Sequence, residues 1–394
     1  MTKLIDITGK ALSGEWGNED ESGNGIPVLR TTNFTNEGIV NFDNVITRVI
    51  TKKNIQEKFL KNGDIILEKS GGSDKQPVGR VVYFEGPNDT YLFNNFTGLL
   101  RVKDQTKWLP KFVFYSLYSN YRKGGTIPFE NKTTGLHNLK TDDYVARYKV
   151  VDLPYLEQQI IVETLDKTKA IIDARNQELQ TLDELIKARF VEMFGDPVSN
   201  PLRWKKERLA DVCLKLNDGT HFSPESFETG DYKYITAKNI KLDGFDFSNI
   251  TYVPESTHRP IYERCNPEKG DVLYIKDGVT TGIAMVNPLE EEFTLLSSVA
   301  LLKQNRSIIN GHFLCGVLNN QDMYCNIRSN MGGAAITRLT IAKIKEIKVI
   351  MPPLELQDEF EEFVKEVDKS KVVVQKALDE AQLLFDSLMQ QYFG

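Results

Sequence analysis

The phrase "LPYLEQQIIVETL" spans Leu153–Leu165, and "MPPLELQDEFEEF" spans Met351–Phe363. Each sets a proline stop before Leu, Glu and Gln, then runs on with apolar residues at helical spacing. Proline fixes φ and lacks an N–H, so it closes a strand and is tolerated where a helix begins. Two such phrases about 200 residues apart mean a duplicated unit of domain size rather than a solenoid of short repeats.

The rest of the chain carries the same duplication. "LRTTNFTNEGIV" from Leu29 matches "ITAKNIKLDGFD" from Ile235, each turning at a glycine, Gly38 or Gly244. "FLKNGDIILEKSGG" (Phe59–Gly72) matches "CNPEKGDVLYIKDG" (Cys265–Gly278), and "FTGLLRVK" matches "SSVALLKQ". "EMFG" closes one copy at Gly195 and "QYFG" the other at Gly394. Short Val, Ile, Tyr and Phe runs bounded by Gly, Asn, Asp and Pro predict strands. "LPKFVFYSLYSNYRK" and "INGHFLCGVLNNQDMYCNIRS" each predict a helix.

The long helices are the clearest elements. Alternating steps of four and three from Ile161 give Leu165, Thr168, Ile172, Arg175, Leu179, Leu182, Ile186, Arg189 and Met193. The same steps from Phe360 give Val364, Val367, Lys371, Val374, Leu378, Ala381, Phe385, Leu388 and Tyr392. Both are mostly apolar heptad seams, narrower than the stripe of a helix lying on a globular domain. About 35 residues without Gly or Pro make a rod of roughly 50 Å. The simplest partner of each seam is the other, antiparallel and within one chain; homodimerisation or docking on a third protein are the alternatives. The expected fold is therefore α+β. Two mixed, strand-rich globular domains (1–154 and 196–353) are separated by two long antiparallel helices (155–195 and 354–394). These helices form an intramolecular coiled coil, and the whole is a pseudo-two-fold internal repeat.

The net charge of −6 hides its distribution. Residues 354–394 hold 10 acidic and 4 basic groups, and residues 156–194 hold 8 and 5, so the acid lies on the helices. Residues 1–155 are net +3 and residues 195–353 are neutral, which neither requires nor forbids phosphate contact. No apolar run is long enough to cross a bilayer, and "MTKLIDITGK" lacks a signal-peptide core, so a cytoplasmic protein is expected. The 4 cysteines form no C-x-x-C pair, and "GHFLCGVL" reads as an apolar helix with a buried thiol rather than a metal site.

Catalytic motifs are missing. "SGGSDKQPVG" (Ser70–Gly79) is glycine-rich but is not a P-loop, because no Gly-Lys-Ser/Thr closes it. "NPLE" at Asn287 lacks the second proline and the aromatic of an adenine methyltransferase loop. Acidic-x-Lys tripeptides occur at Glu130, Asp231 and Glu346 without the upstream Pro-Asp of a nuclease. The chain is expected to bind no metal or cofactor and to catalyse nothing alone.

In this arrangement, two domains alternating with two helices introduced by a Pro-Pro-Leu-x-x-Gln phrase, the chain resembles the specificity (S) subunit of type I restriction-modification enzymes. "NPLRWKKERLADVC" and "NDGTHFSP" (Asn217–Pro224) resemble phrases that open that family's target-recognition domains. Two departures stand out: Tyr155 where a second proline is usual, and Leu356 where Glu is usual. The first copy also starts at "TKLIDITG" without a Pro-x-x-Trp phrase. The resemblance implies that each domain reads half of a split double-stranded DNA target and that the helices set the spacing. It also implies two modification (methyltransferase) subunits, which would carry S-adenosylmethionine, and restriction (translocase/nuclease) subunits. A self-contained methyltransferase or nuclease, or a coiled-coil adaptor without DNA, are the competing readings.

Base reading needs donors and acceptors on loops, and phosphate contact needs cations or backbone N–H groups. The candidates in the first domain are Arg30, Asn33, Lys69, Lys75, Gln76, Arg80, Asn131, Lys132 and Thr134. Those in the second are Thr220, His221, Lys238, Asn239, Lys276, Thr280, Thr281, Arg328 and Arg338. If Arg80 or Lys276 holds a base, its replacement with Ala is expected to weaken cognate binding by about 1–3 kcal/mol and relax preference at one position. Asp218 is expected as a turn-former and Trp204 as a core anchor.

Overall fold

The computed structural model describes residues 1–133, 136–242, 244–329 and 338–394. The chain divides into two compact units, Met1–Arg175 with Ala377–Gly394, and Asn176–Lys376.

In the first unit a four-stranded antiparallel sheet runs Leu12–Ser13, Thr97–Leu100, Ile65–Glu68, Val81–Tyr83. Its central strand, "IILE", is buried along its whole length, as expected of a strand covered on both faces. A second sheet runs Asn18–Glu19, Ile46–Val49, Ile26–Leu29, Leu92–Phe93. A third joins Glu130–Thr133, Leu136–Leu139 and Ser70–Gly72. The helix Pro110–Arg122 packs Phe112, Val113, Tyr115 and Leu117 into the core. The short strand Thr2–Lys3 pairs with Lys149–Val150, so the first domain is anchored although no Pro-x-x-Trp phrase precedes it.

The second unit repeats the main sheet in the same order: Cys213–Asp218, Val299–Gln304, Val272–Ile275, Ala284–Val286. Lys205–Arg208 pairs with Lys348–Met351 as the anchor, and Trp204 Nε1 donates to Phe194 O at 3.0 Å. One element differs from the sequence expectation. "INGHFLCGVLNNQDMYCNIRS" forms two helices, Gly311–Asn319 and Gln321–Ser329, because Asn320 adopts extended ψ and its side chain accepts the N–H groups of Asp322 and Met323. The helix Glu255–Arg264 holds Pro260 inside it, a residue that argues against helix from sequence alone.

The duplication extends to individual hydrogen bonds. Asn33 Oδ1 accepts the Arg30 N–H and Asn239 Oδ1 the Thr236 N–H, each closing a one-turn helix. Asp64 binds Arg101 at 2.6 Å, and Asp271 binds Lys303 at 3.0 Å. Each of these aspartates also accepts the backbone N–H three residues before it.

The long helices are Tyr155–Phe194 and Leu354–Phe393, 40 residues each, hence about 60 Å long. In the first unit Ile161, Val162 and Leu165 share a core with Phe385 and Met389. In the second, Phe190 and Phe194 share one with Phe360 and Val364, and Arg189 meets Glu359 at 3.1 Å. Within the second unit Asp183 meets Lys371 and Arg189 meets Glu359, so the two helices run antiparallel there. Each helix end also caps a domain: Phe393 packs on Phe112 at 5.2 Å between centroids, and Phe194 on Phe313 at 4.8 Å.

The opening phrase gains a role and a corrected register. Gln158 is fully buried; its Oε1 accepts the Leu109 N–H, and its Nε2 donates to Lys107 O and Leu153 O. Gln357, equally buried, accepts the Asn310 N–H and donates to Ile308 O and Pro352 O. Gln158, not Gln159, is therefore the equivalent of Gln357. Pro154 then matches Pro353 and Tyr155 matches Leu354, the first residue of its helix. Tyr155 does not replace a proline.

Candidate nucleic-acid interface

In each unit the central strand runs into a glycine-bearing loop beside the start of a one-turn helix. Gly71 and Gly79 hold φ of 128° and 108°, and Gly278 and Gly282 hold 109° and 108°. These values suit glycine and fix the loop path. A Cβ on Gly79 would come within 2.6 Å of Thr126, and one on Gly282 within 2.8 Å of the Tyr324 ring.

Several predicted DNA contacts are committed to the protein itself. In the first unit Asn33 is 2 % exposed and donates to Asn41 O and Asp43 O. Arg80 donates to Thr31 O at 2.9 Å and Phe34 O at 3.1 Å and lies 3.4 Å from Glu68. It is a brace, not a free base reader. Lys69 Nζ donates to Ser13 Oγ at 2.8 Å, and burial pulls its ammonium below the usual lysine value. Arg30 reaches Asn44 O. What this unit leaves exposed is Lys75, Gln76 and Asn131, the last on the strand Glu130–Thr133 that also carries Lys132. Gln76 Nε2 contacts Asn36 Oδ1 at 3.3 Å. Thr134 lies outside the described residues.

In the second unit Lys276 is 2 % exposed and its Nζ lies 3.3 Å from Asp218 and 3.1 Å from Asp277. Lys276 occupies the place of Lys69, and Asp218 that of Ser13: each lysine bridges the central strand and the same edge strand. Asp218 is thus a buried counter-ion rather than a turn-former. It also meets His221 at 3.1 Å and Arg264 at 3.6 Å. Thr220 and Thr281 are buried, Thr220 bonded to the Phe222 backbone and Thr281 to Gly278 O. Arg328 donates to Val279 O and Thr281 O and sits over the Tyr324 ring, so it stiffens the loop. Asn239 is buried and donates to Asp246 O. The exposed groups are His221, Lys238 and Arg338, which pairs with Asp277 at 3.2 Å; Thr280 is half-buried on the loop.

Two residues escaped the sequence reading. Val279, on the tip between the two glycines, is 89 % exposed. Glu68 is 4 % exposed at the end of the central strand, a charge in an otherwise apolar run. The second copy has Ile275 there, and that mismatch was the available signal.

Replacing Asn239 with Ala is expected to cost about 1–2 kcal/mol of stability, through the lost cap and the unpaired Asp246 carbonyl. Sequence preference on DNA is expected to stay as it was. Thermal melting with and without DNA checks this, and a stable variant with altered preference would restore Asn239 as a reader.

Burial raises the Cys315 thiol well above its usual value, and His312 lies 3.2 Å from Glu361. Among the described residues no group of three His, Cys, Asp or Glu side chains is arranged to hold a metal ion, and no helix is long and apolar enough to cross a membrane.

The family model for the type I restriction modification DNA specificity domain matches the chain twice, over residues 3–184 and 201–381. The EcoKI specificity subunit of Escherichia coli (strain K12) is 22% identical over 273 residues, covering 64% of this chain; the match spans 54%, about half, of its own length. The putative MjaX specificity subunit of Methanocaldococcus jannaschii is 21% identical over 394 residues, 96% of this chain and 90% of its own. The solved S subunit of a type I restriction-modification system from M. genitalium aligns with a TM-score of 0.57 at 18% identity, covering 100% of this chain and 95% of that one. A chain from a structure of type I system assembly and conformational transition aligns at 0.55 and 16% identity, covering 100% and 96%. Both structural likenesses concern the fold.

Proposed function

The chain belongs to the type I restriction modification DNA specificity domain family, and we propose that it is the non-catalytic, sequence-reading subunit of such a complex. Its two globular domains (1–154 and 196–353) each read one half of a split double-stranded DNA target. The long helices (155–195 and 354–394) space the two halves and seat two methyltransferase subunits. Those subunits supply S-adenosylmethionine and methyl transfer, and restriction subunits join them in the cytoplasm. The observation that carries this reading is the double family match, each copy running into a long helix through a buried glutamine.

The division of labour follows from the side chains. The acidic helices suit protein contacts and are poor surfaces for phosphate. The exposed Lys75, Gln76 and Asn131 in one domain, and His221, Lys238 and Arg338 in the other, are hydrogen-bond donors at the surface of the two domains. Such groups suit phosphate and base-edge contact.

The test is methylation-sensitive sequencing of DNA from cells expressing this chain with its own modification subunits. A split methylated motif that disappears when the chain is deleted supports the reading. Methyl transfer by the chain alone, or no split motif, overturns it. Lys75→Ala and Lys238→Ala are each expected to reduce the slope of log K against log salt by about 1, with sequence preference retained. Anisotropy titrations across salt concentrations measure this; an unchanged slope removes that lysine from the interface.

A further inference from the structure

The internal repeat exposes one place where the copies solve the same packing problem with opposite chemistry. The Glu68 N–H donates to Arg80 O at 2.8 Å, as the Ile275 N–H donates to Ile283 O at 2.8 Å. Leu67 pairs with Val81 as Tyr274 pairs with Ala284. Glu68 and Arg80 therefore stand where the second domain has two isoleucines that belong to an apolar core.

An ion pair buried in this way contributes little net stability, and replacing one with apolar side chains is often neutral or favourable. Burial raises the Glu68 carboxyl above the usual glutamate range, and the Arg80 guanidinium opposes that shift. The second copy shows that the sheet accepts the apolar solution. Stability does not account for the pair.

Glu68 and Arg80 form the floor of a groove of about 340 Å³, walled by Thr31, Phe34, Gly71 and Gln76. The groove touches Glu68 beside Gly71, which sits at φ of 128°; a Cβ there would rest in contact with Glu68 Oε1, 3.4 Å away. Arg80 is held from behind by Thr31 O and Phe34 O, so its guanidinium is fixed against the carboxylate. An ionised carboxylate only accepts hydrogen bonds. On DNA the groups that answer it are exocyclic amines, N6 of adenine and N4 of cytosine.

We propose that Glu68 is a base-reading acceptor of the first domain, selecting an exocyclic amino group at one position of its half-site, with Arg80 as its positioning residue. This rests on the DNA-reading function above. It also makes the two domains unequal: the second reads its half-site without a carboxylate at this place.

The test uses the complex of the full chain with its modification subunits, on the split target found by sequencing. Two variants are compared with the parent: Glu68→Gln, and the double variant Glu68→Ile with Arg80→Ile, which copies the second domain. Binding is measured on a panel of duplexes changed one base pair at a time. The expected result is a loss of about tenfold in discrimination at one position, in one half-site only, with the other half-site as internal control. Glu68→Gln is expected to melt somewhat below the parent, because the Arg80 guanidinium loses its counter-ion, whereas the double variant removes both charges and is expected to melt near the parent. If the double variant melts early, Glu68→Gln carries the test alone. Discrimination retained at every position, or a uniform loss across all duplexes, overturns the proposal while leaving the DNA-reading function intact. Absence of any split target overturns that function instead.

Discussion

Replacing Gln357 with Ala is expected to lower stability by about 3–5 kcal/mol, among the largest effects for a polar side chain in this protein. The amide is fully buried and satisfies three backbone groups: the Asn310 N–H, Ile308 O and Pro352 O. Alanine leaves all three without partners, and each buried orphan costs about 1–3 kcal/mol. The damage falls where the sheet domain hands the chain to its helix. Gln158→Ala is expected to cost a similar amount, since its bonds to Leu109, Lys107 and Leu153 repeat the pattern. Urea unfolding and hydrogen exchange at the Asn310 and Leu109 amides measure it. A loss under about 1 kcal/mol for both variants would mean that water replaces the amide and that the joint is held by packing alone.

Lys276→Ala is the second large effect, about 3 kcal/mol, because it takes the buried counter-ion from Asp218 and leaves that carboxylate only the more exposed His221 and Arg264. Lys276 is 2 % exposed and lies 3.3 Å from Asp218, which is 4 % exposed. Removing one partner of a buried pair costs far more than removing both. Lys276→Met combined with Asp218→Asn should therefore recover most of the loss. Thermal melting without DNA is the decisive readout. A Lys276→Ala protein with parental stability and weakened DNA binding would restore the simpler view of Lys276 as a DNA contact.

The contrast between these residues shows what the sequence made legible. The duplication, the two helices and the proline joints were readable because periodicity and repeated phrases are properties of the chain itself. That Gln357 bonds three backbone groups was not readable, because two of its three partners lie about 50 residues away in sequence. Nor was the burial of Lys276, Thr220, Thr281 and Asn239. A loop motif names donors but not the direction in which they point, and here the sheet turns them inward. The single-residue register of the first phrase needed hydrogen bonds as well, since "EQQ" offers two glutamines and only Gln158 is buried. The exposed Lys75, Lys238 and His221 were legible by type, because surface cations on turns are the ordinary case.

The first compact unit contains both Met1–Arg175 and Ala377–Gly394, whereas the second is one continuous stretch, Asn176–Lys376. Synthesis on a ribosome therefore inverts the order of completion. The domain made first waits, with the Phe112 side of its core uncovered, until Phe393 arrives. The domain made second holds all its packing partners by Lys376 and finishes earlier. A premature stop just before Ala377 would spare the later domain and leave the earlier one without Phe385, Met389 and Phe393, an early defect written by a late codon.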